Sequence, residues 1–285
     1  MGQEPVFHLN AQRDDFLGNG VLGRYVLLPG SDGRAEEIAS RLEDSTVKTS
    51  ERRLNCYFGK FRYEKDCIDL AVVSTGMGCP SMDIVLSELI ALGARRFLRL
   101  GTAGSLQPNK VKFGDFVIAH SAVRDESTSR NYAPLEFPAV ADLGIVTILQ
   151  QVLAEEKSVQ FHVGTVHCKD SLFAREFRAG PLHLENDRYM EILSQCGVLA
   201  SEMEAAQLFI RTQIEAARLA RLEEGNIGIK AGALLAIIGE KQPFESRDKG
   251  AVTQVLIELG LRAVARWCVR ERSLQQETVG LVGKN

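Results

Sequence analysis

The sequence predicts an α/β fold built around a largely buried sheet. Short runs rich in β-branched residues and leucine recur along the chain, and they alternate with stretches of helical periodicity. Three of the strand-like runs end in glycine-bearing turns, as open α/β sheets do where they bind ligands. The 285 residues are 45% hydrophobic and 25% charged, the balance of a folded globular chain. Without repeats, low-complexity stretches or a linker, a single domain over 1–285 is expected.

In order, Arg24 to Pro29 (RYVLLP) reads as a strand, followed by a glycine turn and a helix from about Ala35. Asp69 to Ser74 (DLAVVS) is a second strand, leading into TGMGCPS. Ser81 is placed to cap the helix SMDIVLSELIALG, with Ile84, Val85, Leu89 and Leu92 as its apolar stripe and Gly93 as its stop. Arg96 to Leu100 (RFLRL) is a third strand, ending in Gly101, Thr102, Ala103 and Gly104. Further strands are expected at Asp115–Ala119, His162–Val166 and Ala233–Ile238. A long helix is expected from Glu202 to a break at Gly225, and a last one from about Ala251 to Arg270. The polar tail from Ser273 to Asn285 is expected to fray.

A formal charge of −3 argues against a nucleic-acid or anionic-membrane surface, which needs a basic excess. Any phosphate must therefore be caught by local donors. The six cysteines form no C-x-x-C pair and lack zinc-ligand spacing, so no metal site is expected and they read as buried thiols of a reducing compartment. The N-terminal stretch has no apolar core of a secretory signal, Val6 stands where a myristoylation signal wants Ser or Thr, and no apolar run reaches membrane length. A cytoplasmic protein is expected.

The chemistry-bearing candidates sit in the turns. Gly30 with Arg34, Gly76 with Gly78, and Arg99 with Gly101, Thr102 and Gly104 combine close backbone approach with anion donors. Taken singly, each turn reads first as a tight turn and nothing more, since glycine after a strand usually means only that. Arg99 weighs more, because a guanidinium inside an apolar strand is costly to bury without an anionic partner. In Ser201-Glu202-Met203-Glu204, two carboxylates flank a methionine. One reading is a helix start favoured by the dipole; the other is a carboxylate gripping sugar hydroxyls over an apolar floor.

The blocks PGSDGR, STGMGCPS, FLRLGTAGSLQP, APLEFPAVAD, HVG and EMEAA resemble the nucleoside phosphorylase-I family, most closely its uridine phosphorylases. The likeness runs in order over nearly the whole chain, from Val6-Phe7-His8-Leu9 to at least the 230s. The resemblance implies a three-layer α/β/α fold with a mixed, partly barrel-like central sheet. It implies phosphate at Gly30, Arg34, Arg99 and Thr102, with Arg52 reaching in from a neighbouring subunit and Arg53 the lesser candidate. Ribose would lie on Met203 and Glu204, completed by His8 of the neighbour. The implied functional unit is thus a homodimer with shared sites; bacterial relatives build hexamers from such dimers. The substrates are a nucleoside and inorganic phosphate, with no cofactor, and Arg99, Thr102 and Glu204 carry the catalysis.

The chain departs from the family at the base. Uridine phosphorylases grip uracil with a glutamine and an arginine two residues apart; here those positions hold Glu176 and Arg178. An ionised glutamate offers uracil no donor for O2, so either Glu176 is protonated, the loop is shifted, or uridine binds more weakly. Glu240 is a candidate acid of a purine-cleaving site, and Lys241 a candidate replacement for a basic residue near the base. Arg53 stands where bacterial relatives hold a glutamate for a monovalent cation, so no structural potassium is expected. Three functions follow: a uridine phosphorylase, a purine or broad-specificity phosphorylase, and a non-catalytic nucleoside-binding homologue. The phosphate cluster disfavours the third, and also a hydrolytic nucleosidase.

Overall fold

The computed structural model describes residues 6–222, 228–240 and 248–282. Among these residues, ten strands form one mixed sheet. Its open wing runs β2 (Glu43–Lys48), β3 (Cys56–Tyr63), β4 (Asp66–Val73) and β1 (Tyr25–Pro29), reaching β5 (Arg96–Ser105). Beyond β5 the order is β9 (Ala200–Glu202), β8 (Phe161–Lys169), β6 (Phe116–Asp125) and β10 (Lys230–Gly239), with the two-residue β7 (Ala139–Val140) on β6. β10 pairs back onto β5 in parallel from Lys230↔Arg96 to Gly239↔Gly104. That pairing closes a five-stranded ring, so the sheet is part barrel and part open wing, as the family resemblance implies.

Burial follows composition. All five residues of β1 and all but Lys230 of β10 are buried, the pattern of strands covered on both faces. β2 is the opposite: EDSTVK is exposed almost throughout and survives as a polar edge on β3. The sequence reading omits β2, β3, β7 and β9. It also ends β5, β6 and β8 several residues early, because their last residues (GTAGS, HSAVRD and HCK) break the apolar run with glycine, polar or charged side chains.

Among the described residues seven α-helices flank the sheet: α1 (Asp32–Ala39), α2 (Cys79–Ala91), α3 (Leu143–Glu155), α4 (Leu172–Glu176), α5 (His183–Gln195), α6 (Ala205–Arg221) and α7 (Lys249–Val282). α2 packs on α6 and α3 on α7, giving the expected α/β/α layering. Caps set the starts: Ser31 Oγ accepts from Arg34 N, and Asp142 accepts from Gly144 N and Ile145 N.

Four expectations are corrected. α2 begins at Cys79 behind Gly78, and the Ser81 hydroxyl donates to the Thr75 carbonyl at 2.6 Å instead of capping. Ile84 is exposed, because the buried face of α2 runs through Met82, Val85, Leu86 and Leu89. Glu202 ends a strand, so α6 starts at Ala205; the expected break at Gly225 lies outside the described residues. α7 continues past Arg270 to Val282, so the segment from Ser273 is helical that far. Of the cysteines, Cys196 is exposed, while Cys56, Cys79, Cys168 and Cys268 are buried.

Buried Glu271 anchors α7 by accepting from Tyr25 Oη (2.6 Å), Arg96 Nε (2.6 Å) and Lys230 Nζ (2.8 Å). One helix side chain thus ties together the entry ends of β1, β5 and β10. About three turns earlier, Gly260 lets α7 press onto β5: a Cβ there would lie 2.5 Å from a Leu100 methyl and 3.1 Å from its Cγ. Gly260→Ala should therefore cost about 1–3 kcal/mol through overpacking. Urea unfolding checks this, and an unchanged midpoint would mean that α7 can lift from Leu100 freely.

Candidate active site

The carboxyl ends of β1, β5, β8 and β9 converge on a cavity of about 280 Å³. One end is lined by Gly30, Ser31 and Arg34 after β1 and by Arg99, Gly101 and Thr102 of β5. Met203 and Glu204, after β9, line the middle, and Met77 also contributes to the lining. Lys169, Leu172, Glu176 and Gly104 line the far end. β1 and β5 are direct neighbours with Leu28 in register with Arg99, which brings the first two turns side by side.

Arg99 is buried and does have anionic partners, but the chain supplies them. Its Nε donates to Glu202 at 3.1 Å and its Nη2 makes a short contact with Glu204. Burial opposes its charge, yet the two glutamates prevail and hold its pKa above the ordinary guanidinium value. The carboxylates divide the roles between which the sequence left a choice. Glu202 caps α6, accepting from Glu204 N (2.9 Å) and Ala205 N (2.9 and 3.1 Å). Glu204 faces the cavity, with Gly78 N donating to its Oε1 at 2.6 Å. Burial pushes the Glu204 carboxyl up against the pull of Arg99, and Glu202 adds to the push.

The donors at the first end are incompletely used. Arg34 Nη1 reaches the Leu100 carbonyl at 3.3 Å, while Arg34 Nε and Arg99 Nη1 are buried with no hydrogen-bond partner among the described residues. Burial, and then the nearby Arg99 charge, hold the Arg34 pKa below its usual value. Two desolvated, mutually repelling guanidinium groups with unused N–H groups form a site that an oxyanion would relieve. Gly76 (φ +70°) and Gly78 (φ +84°) have the left-handed backbone that aims Gly78 N at Glu204. Gly101 serves differently: a Cβ there would lie 2.8 Å from Arg99 Nη2 and 2.7 Å from Leu235, so its missing side chain is where the guanidinium lies.

The far end holds a residue that sequence reasoning passed over. Lys169, at the end of β8, is only 2% exposed. Its Nζ donates to Ser201 Oγ at 2.8 Å, lies 3.5 Å from the Glu202 carbonyl and pairs with Glu176 Oε1 at 2.6 Å. The Glu176 contact is ionic without hydrogen-bond alignment, so Oε1 has no aligned donor. The remaining candidates are not drawn together. Arg178 is exposed and pairs with Asp187 at 3.3 Å, away from the cavity lining. Glu240 turns to Lys112 Nζ and Phe113 N, both at 3.3 Å. Lys241 lies outside the described residues.

His8 and Arg52 also lie outside the cavity lining. The backbone N–H groups of Phe7, His8 and Leu9 all donate to Glu88, and His8 Nδ1 lies 2.7 Å from Glu88 Oε1. Arg52 is exposed on the turn between β2 and β3, which Asn55 pins to Asp32 of α1 at 2.9 Å. Arg53 too lies outside the cavity lining, and its carbonyl accepts from the Ser74 hydroxyl.

A ligand crevice at strand carboxyl ends, with an oxyanion subsite beside a buried carboxylate, marks an enzyme that brings an anion to a polar substrate. The Phosphorylase superfamily model matches residues 24–214, and the chain belongs to that family. It is 35% identical over 237 residues to the uridine phosphorylase of Treponema pallidum, covering 82% of each chain. Identity to the uridine phosphorylase of Thermococcus kodakarensis is 32% over 254 residues, 87% of this chain and 84% of the relative. A guanosine phosphorylase of Halorubrum lacusprofundi is 33% identical over 220 residues, covering 77% of this chain and 80% of its own.

Two variants test the geometry. Gly101→Ala should displace the Arg99 guanidinium and cut turnover of the native substrate at least about tenfold, a cost of the order of 1.4 kcal/mol in the barrier. Full activity would show that Arg99 can move without loss. Burial opposes the ionised form of Glu88, but backbone N–H groups and His8 win and hold its carboxyl below the usual range. A depressed carboxylate stabilises at pH above its unfolded value and loses that contribution as pH falls through its folded one. Glu88→Gln should therefore lower the exchange protection factor of the Leu9 amide at neutral pH, and acid should lower the same factor in the unaltered chain once the intrinsic rate at each pH is divided out. Equal protection in the variant would refute the anchor.

Proposed function

We propose that the chain is a pentosyltransferase of nucleoside salvage, a uridine phosphorylase that splits uridine with inorganic phosphate into uracil and ribose 1-phosphate. The observation that carries this reading is the pair of buried, unpartnered guanidinium nitrogens of Arg34 and Arg99 beside Glu204. The likeness to uridine phosphorylases over most of the chain supports the nucleobase.

Phosphate is held by Arg34, Arg99, the Gly30 turn and Thr102, and attacks C1′ as the bond to the base stretches. Holding the nucleophile in line is worth several kcal/mol. Ribose lies on Met203 and Glu204, whose carboxylate orients the hydroxyls and favours the developing oxocarbenium charge. The lining holds three cations (Arg34, Arg99, Lys169) against three carboxylates (Glu176, Glu202, Glu204), so unused N–H groups and not a net field select the anion. No cofactor takes part in these steps.

His8 and Arg52 are read as donations to a partner's site in a cytoplasmic homodimer. In support, both lie near the surface, each on a backbone segment that buried groups pin down, and Phe7 beside His8 is 79% exposed. The guanosine phosphorylase relative favours purine nucleosides as a second reading. Against an acid role for Glu240 in that reading stand its contacts with Lys112 and Phe113.

Base release from uridine, inosine and thymidine, each with and without phosphate, tests the reading. Phosphate-dependent release from uridine is expected; release from inosine alone would overturn the pyrimidine assignment. Arg34→Met should raise the KM for phosphate at least about tenfold with the fold intact, since loss of a charged contact costs about 1.5–3 kcal/mol. Arg99→Ala is the harsher change. It strands two buried carboxylates, at about 3–5 kcal/mol, so inactivity there does not by itself locate phosphate.

A further inference from the structure

The buried pair Lys169–Glu176 is unused by the steps above, and its position says what it meets. In the sheet order β8-β9-β5-β1, Lys169 ends β8 while the Gly30 turn follows β1. Three strand spacings of about 4.8 Å put these ends about 14 Å apart. Met203 and Glu204, after β9, lie between them. If phosphate sits by Arg34 and Arg99 and ribose on Met203 and Glu204, the base falls against β8 and α4. This step rests on the phosphorylase reading.

We propose that Lys169 and Glu176 together are the base-recognition pair, in place of Arg178. An ammonium has three protons. Ser201 Oγ takes one, Glu176 faces another, and the third is only loosely engaged by the Glu202 carbonyl at 3.5 Å. Glu176 Oε1 in turn has no aligned donor. The pair therefore offers a charged donor beside a carboxylate oxygen that is ion-paired but accepts no aligned hydrogen bond, which matches a base edge with a carbonyl next to an N–H. Uracil has that edge. Cytosine does not: it presents a ring-nitrogen lone pair to Glu176 and is repelled. As the glycosidic bond stretches, the departing base gains negative charge, spread onto its carbonyl oxygens. Lys169 stabilises that charge in a water-poor pocket, where a fixed cation is worth more than in water. It thus acts on the leaving group while the arginines act on the nucleophile.

The test uses the full chain with Lys169→Met and the isosteric Glu176→Gln. K169M should lower kcat/KM for uridine by roughly a hundredfold or more, the loss typical of an oxyanion donor. For 5-fluorouridine, whose fluorine makes the base a better leaving group, the loss should be markedly smaller. The KM for phosphate should stay unchanged, which a merely structural role would not secure. Equal losses on both nucleosides, or a loss confined to the phosphate KM, would overturn the proposal. E176Q gains an amide donor and should cut the preference for uracil over cytosine by at least about tenfold, measured by calorimetric binding of the free bases in phosphate. An unchanged preference overturns the role of Glu176, and this arm stands even should K169M fail to fold. If the unaltered chain cleaves no nucleoside, the phosphorylase reading fails while base binding still decides the pair. Uracil bound by the unaltered chain and not by K169M sustains it; equal binding, or none by either, ends it.

Discussion

Everything at the cavity depends on one buried arginine held between two carboxylates. Arg99 lies inside β5, a strand paired on one side with β1 and on the other with β10 and β9. A charge there is tolerable only because Glu202 and Glu204 meet it. Glu202 also caps α6, so the same carboxylate fixes where β9 stops and the helix starts. Glu204 receives Gly78 N, so the turn before α2 is locked to the same group. Strand, helix and turn are thus positioned by one ionic cluster, and the cavity is the space left around it.

That cluster also explains how an enzyme of net charge −3 can choose an anion. The cations of the lining are already matched by carboxylates, so long-range attraction contributes little. Selection rests on donors that no group among the described residues reaches, at Arg34 Nε and Arg99 Nη1. Such a site discriminates by geometry, rewarding an oxyanion that meets both guanidinium groups at once.

Much of this was legible in the residues alone. The apolar strands β1 and β10, and the second half of β4, declare themselves because both faces are buried and successive positions select the same chemistry. The glycine turns were legible for a related reason, since a left-handed φ or a missing Cβ admits little else. Other parts were not. β2 is polar and exposed, and β9 is three residues long; each exists because a neighbouring strand pairs with it. Arg99 was readable as a charge needing a partner, but its partners lie more than a hundred residues on, and no local pattern joins them. Lys169 was hidden more deeply. A lysine after an apolar strand normally marks the point where the strand meets solvent. Here Ser201 and Glu176, from later elements, fold over it. The one available hint was a run of buried-type residues, FHVGTVHC, leading without a break into the lysine.

The closure of the ring has a bearing on the order in which the protein comes into being. β5 emerges early in synthesis and has partners in β1 and β4 close at hand, but its other flank waits for β9 and β10. Pairings that span such distances along the chain form late, since loop closure must precede any gain. The arginine of β5 is therefore exposed to water until Glu202 and Glu204 have been made, and the ring stays open until Gly239 has left the ribosome. A nascent chain carrying every residue proposed above to hold phosphate, but lacking β10, would have those side chains without the strand that closes the ring around them.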